Sequence, residues 1–187
     1  LFLFLFFFVL LSPQHFQPSP LNIFIDLFFP GIIYETKLRL CGFALANMIA
    51  NEVEREGYLD VLSPVAKRGC LHAIGSVMVM SNTYHMNLVI LMLRFSDLLS
   101  VEKASKEERY DDWKSFMDIL TTVNENERNF LLDLVAVAAA FDGRFSPQER
   151  TKLRECFGED YAMYSKRITT LVDHLRHGRL NASFALC

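Results

Sequence analysis

The chain has no Cys-x-x-Cys pair, and its four cysteines, Cys41, Cys70, Cys156 and Cys187, show no zinc-ligand spacing. That excludes a sequence-local zinc site and a dithiol redox motif. Three of the four fall in helical patterns, where buried reduced thiols are the ordinary expectation, so a reducing, intracellular setting is favoured. Strand signals are missing as well, since no stretch alternates apolar with polar residues. No H-E-x-x-H, G-x-S-x-G, Gly-rich phosphate loop or dinucleotide fingerprint is present, which removes the common local signatures of catalysis and cofactor binding. Charge of one sign is also lacking. The balance is 19 Lys and Arg against 22 Asp and Glu, a formal −3, so no nucleic-acid partner is expected. These absences favour a chain with no catalytic and no cofactor-binding residues.

Residues 1–33 differ in composition from the rest. Nine of the 17 phenylalanines lie in the first 29 positions, and Leu1 to Leu11 is an unbroken apolar run. A membrane-spanning helix needs about 20 apolar residues, so this run alone is too short. Three origins fit it: the end of a transmembrane helix, the apolar core of a signal peptide without its charged start, or translation of a pyrimidine-rich non-coding tract. The chain begins with Leu, as a fragment would. Pro18, Pro20 and Pro30-Gly31 break the segment after the run into a linker. The expectation is a loosely attached apolar extension over 1–33, a route to a membrane through residues 1–29, and a helical domain over 34–187.

From Tyr34 the spacing becomes helical. Leu38, Cys41, Phe43, Leu45, Met48, Ile49 and Val53 mark one amphipathic helix ending at Gly57. Ser63-Pro64 pairs an N-cap residue with a first-turn proline, and Val65, Cys70, Leu71, Ile74, Val77 and Met78 follow as the inner face. Asn82 to Leu99 is nearly all apolar but carries His85, Asn87, Arg94 and Asp97, which reads as a buried core helix rather than a membrane span. His72 and His85 read as core or boundary histidines on apolar helices. Ser105 with Glu108 predicts a capping box opening a helix over Lys106–Val123, and Asn124 with Glu127 repeats the device. A last helix over Tyr161–His177 points Tyr164, Ile168, Leu171, Val172 and Leu175 inward and Lys166, Arg167, His174 and Arg176 outward. Gly178 ends it, and Arg179–Cys187 is expected as a loosely held tail. The sum is an all-α bundle of about seven helices.

The stretch Glu127 to Gly158 is the strongest pattern. Phe130, Leu131, Leu134, Val135, Val137 and Ala138 recur at helical spacing, and Ala136, Ala139 and Ala140 keep the other faces small, so neighbours can approach closely. Asp142-Gly143 stops this helix. Ser146, Pro147 and Glu149 restart the chain as N-cap, first turn and capping-box partner.

Asp142-Gly143-x-Phe145-Ser146-x-x-Glu149, behind an Ala-rich helix, resembles the D-G-x-φ-S-x-x-E turn of the TerB-like (tellurite-resistance B) helical family. The resemblance covers residues 127–158. That family carries two such turns, and the nearest echo here is Gly57-Tyr58-Leu59-Asp60 before Ser63-Pro64. The resemblance implies an all-α fold and a role in metal or stress responses at the membrane, with a divalent cation as cofactor. It makes Asp142, Glu149 and Asp133 the candidate metal ligands. Asp133 precedes Asp142 by nine positions, about 13 Å of helix rise, so it joins them only if the chain bends. Val77 to His85 is also similar to the M-x-M-N-N-x-[YF]-[YH] stretch of alkylhydroperoxidase D-like proteins, whose chemistry implies a Cys-x-x-Cys thiolate that this chain lacks. Intact structural grammar without catalytic grammar favours a non-enzymatic helical interaction module with a protein partner. The acidic-turn cation site is the alternative, and the peroxidase-like redox protein the outsider.

Overall fold

The computed structural model describes the backbone of residues 30–80, 84–99 and 109–187, with side chains from Tyr34 onward. Contacts divide the chain between Ile33 and Tyr34, and the packing of the helices is that of the Tyr34–Cys187 unit. Of the apolar extension expected over 1–33, residues 1–29 lie outside the described residues, as do Ser105 and Glu108.

All regular elements among the described residues are helical. They are α1 (Pro30–Arg55), α2 (Tyr58–Val61), α3 (Pro64–Met80), α4 (Met86–Leu99), α5 (Trp113–Thr122), α6 (Glu125–Ala140), α7 (Pro147–Phe157), α8 (Tyr161–Arg176) and α9 (Leu180–Phe184), with a 3-10 turn at Gly158–Asp160. Seven of the nine α-helices have ten residues or more, which meets the expected count. The glycines predicted to stop helices, Gly57, Gly143, Gly158 and Gly178, all have positive φ.

Several boundaries move, each for a local reason. Pro30-Gly31, expected as a break, is the first turn of α1. A proline there loses nothing, because first-turn N–H groups have no partner within the helix. Helix α4 starts at Met86 rather than Asn82, because His85 stands ahead of it as a cap. Its Nδ1 accepts from the Asn87 N–H at 3.3 Å, and its carbonyl accepts from Leu88 N at 3.0 Å. His85 is therefore not on a helix, contrary to the expectation from sequence. Helix α5 opens at Trp113 rather than Lys106. Asp112 caps it, accepting from Lys114 N and Ser115 N at 3.4 and 3.0 Å.

The core forms around α3 and α6. Helix α3 packs against α4, α5, α6 and α7, and α6 also meets α7 and α8. Gly69 lets α3 and α6 come close, since a Cβ there would stand 2.9 Å from Leu131 Cδ1. Leu131, Leu134, Val135, Val137 and Ala138 of α6 are buried, together with the small Ala136, Ala139 and Ala140. Burying a Leu, Val or Phe side chain contributes about 1.5–3 kcal/mol, and this interior holds Phe95, Phe116 and Phe141 fully enclosed. The inner face read for the last helix, Tyr164 through Leu175, is buried as expected.

Three residues read as inward or core face solvent, and Leu93, at 57% exposure, shows that α4 is not the wholly buried core helix expected. Phe43 is 49% exposed and Val65 is 45% exposed, because each stands off the stripe its helix buries. The tail is also corrected. Instead of being loosely held, it forms α9, with Ser183 buried. Arg167, read as outward, holds it: Nε donates to Leu186 O at 2.6 Å and Nη2 to Cys187 O at 2.9 Å.

Candidate functional site

The candidate site is the turn from α6 to α7. Gly143 has φ 70, where a side chain would be strained, and a Cβ on it would also stand 2.8 Å from Leu38 Cδ2. The chain therefore reverses closely against α1. Asp142 Oδ1 accepts from Arg144 N at 2.8 Å, which stabilises the turn. Ser146 Oγ accepts from Glu149 N at 3.2 Å, and Glu149 Oε2 accepts from Ser146 N at 2.6 Å. The capping box read from the sequence is present.

Two further contacts fasten this turn to the bundle. Arg176 Nε of α8 donates to Gly143 O at 2.7 Å. Asn87 Nδ2 of α4 donates to Phe141 O at 2.9 Å and to Leu38 O at 3.0 Å, joining α1, α4 and the end of α6. Asn87 is fully buried. A lone Asn in an apolar run carries no sequence signal of this role, and sequence reasoning missed it.

Asp142 and Glu149 are both buried, 5% and 1% exposed, and the charge of Asp142 acts on Glu149. Desolvation pushes the Asp142 carboxyl above its ordinary range, against the Arg144 N–H and the charges of His85, Arg144 and Arg176. Desolvation likewise pushes Glu149 up, with the Asp142 charge adding to it and the Ser146 hydrogen bonds opposing it. Glu149 Oε1 is buried and makes no hydrogen bond. Asp133, the third residue of the predicted set, is placed differently. It is ion-paired with Arg167 Nη1 of α8, the residue that holds the tail. His85 Nε2 lies 3.3 Å from Glu35 Oε1, and the Arg39 hydrogen bond, helped by His85, holds Glu35 below the usual carboxylate range.

The second capping box explains what is unusual in the first. Glu127 Oε2 accepts from Asn124 N at 3.3 Å and Asn124 Oδ1 from Glu127 N at 3.0 Å. Its other oxygen reaches Ser63 N at 2.6 Å. Ser63 caps α3, with Oγ accepting from Ala66 N at 3.2 Å. The third position of α3 is Ala66, so α3 has no carboxylate of its own for a capping box, and Glu127 fills that role from α6. These bonds, the one from Ser63 N foremost, hold the Glu127 carboxyl below the ordinary range.

Burial pushes Cys70, Cys156 and Cys187 up to about 12 and raises Cys41 as well, so at neutral pH they stay protonated. His72 is a core histidine at 5% exposure, with its ring edge-on to Tyr110 at 5.1 Å. Among the described residues no group of three or more His, Cys, Asp or Glu side chains is arranged to hold a metal ion, and no helix is long and apolar enough to cross a membrane. No protein-family model matches the chain, and comparison with curated proteins and with solved structures gives no match.

Proposed function

We propose that the helical unit is a non-enzymatic interaction module that takes a protein partner on the outer face of α4. The observation that carries this reading is the exposure of that face. Met86 and Leu93 are 53% and 57% exposed, and the half-buried Ile90 stands between them on the same stripe. Helix α4 buries Leu88, Leu91, Phe95 and Leu99, and Met86 and Leu93 lie off that buried stripe, so part of its apolar surface has no cover among the described residues. Tyr84, 75% exposed, extends the surface at the start of the helix. Exposed apolar patches of this kind mark binding surfaces. A photo-crosslinking amino acid at position 93 should give one discrete protein adduct in cells, while the same group at exposed Lys152 of α7 should give none. Equal or absent adducts at both positions would remove the reading. Membrane attachment through residues 1–29 belongs to the same proposal. The whole chain should sediment with membranes and a chain beginning at Tyr34 should not.

A second reading, the TerB-like cation site, is favoured by one atom, the unpartnered Glu149 Oε1, on a carboxylate that feels the charge of Asp142. A hard divalent cation takes anionic oxygens, and it would relieve the burial of two like charges. Asp142 and Glu149 would hold it, with water completing the shell; Asp133 is engaged by Arg167. If so, millimolar calcium or magnesium raises the melting temperature of the parent chain. Asp142→Asn and Glu149→Gln each abolish that rise, and Ser146→Ala keeps it. No ion-dependent shift in the parent chain excludes the site and leaves the capping role alone.

A further inference from the structure

No further inference is drawn: the strongest candidate, the groove of about 560 Å³ between α3 and α5 lined by Arg68, His72, Arg109, Asp112, Ser115 and Asp118, mixes cations with carboxylates and has its Arg109 guanidinium already held by Asp111, so nothing in it selects a class of ligand.

Discussion

Glu127 Oε1 and the Ser63 backbone N–H, 64 residues apart in sequence, form a 2.6 Å hydrogen bond. One carboxylate thus serves the first turns of two helices, α6 through Asn124 and α3 through Ser63. Glu149 occupies the same capping-box position in α7 but uses one oxygen only, and its other oxygen is buried without a partner. The two glutamates look alike in sequence and differ in their surroundings.

That difference predicts opposite responses to the same substitution. Glu127→Gln replaces one accepting oxygen with an NH2 group facing an N–H, so it should cost about 1–3 kcal/mol, the range for a buried donor left unsatisfied. Glu149→Gln keeps an oxygen for Ser146 N, and its NH2 replaces an oxygen that has no hydrogen bond to lose, so it should cost less than Glu127→Gln. Ser146→Ala should lose about 1 kcal/mol, as N-cap removals do. Urea unfolding of the three variants checks the order, and equal losses for both glutamines would show that the long-range bond contributes nothing.

Gly42 and Asn87 make a prediction against helix propensity. Alanine in place of an interior glycine ordinarily favours a helix by about 1 kcal/mol. At Gly42 the new Cβ would stand 2.1 Å from Asn87 Nδ2, displacing the side chain that donates to Leu38 O and Phe141 O. Gly42→Ala should therefore destabilise by about 1–3 kcal/mol, the range for overpacking. In combination with Asn87→Ala the losses should be less than additive, because the clash disappears with the asparagine. A stabilised Gly42→Ala, read by denaturant midpoint, would contradict the close approach.

The acidic turn has a definite pH sign. Asp142 and Glu149 are both raised by burial, so the folded state binds their protons more tightly than the unfolded chain. The stability they contribute is present below the ordinary carboxylate range and is lost as pH rises through their raised folded-state values. Asp142→Asn and Glu149→Gln should therefore gain on the parent chain as buffer goes from mildly acidic to neutral. Glu127, held low by its hydrogen bonds, has the reverse sign: its contribution is present above the ordinary carboxylate range and is lost as pH falls. Melting temperatures of parent and variants across pH test this, and a parent advantage over Glu149→Gln that grows toward neutrality would be the wrong sign.

What was legible in the sequence was what a single helix determines by itself. The spacing of Tyr164, Ile168, Leu171, Val172 and Leu175 gave the buried face of α8, and Ser146, Pro147 and Glu149 gave the start of α7, because periodicity and capping act within a few residues. Contacts between helices were not legible. Asn87 reads as an interruption in an apolar run until α1 and α6 are in place around it. Arg167 reads as outward until the tail reaches it. Phe43 reads as core because it is apolar, yet it lies off the stripe running through Leu38, Cys41, Leu45 and Ile49. The turn and capping bonds of Asp142 and Glu149 follow from their local pattern, but the unpartnered oxygen that distinguishes Glu149 from Glu127 depends on the fold around it.

The proposal that α4 offers a binding face requires that face to be free in the isolated chain. Leu91 is fully buried and Leu93, two residues on, is 57% exposed. Thermal melts of purified Leu93→Glu and Leu91→Glu test this directly. Leu93→Glu should shift stability by no more than about 0.5 kcal/mol, as surface substitutions do, whereas Leu91→Glu should lose several kcal/mol or fail to fold, because it buries an unpaired charge. A comparable loss at both positions would mean that the chain itself covers the outer face of α4, and the account of a partner docking there would be wrong.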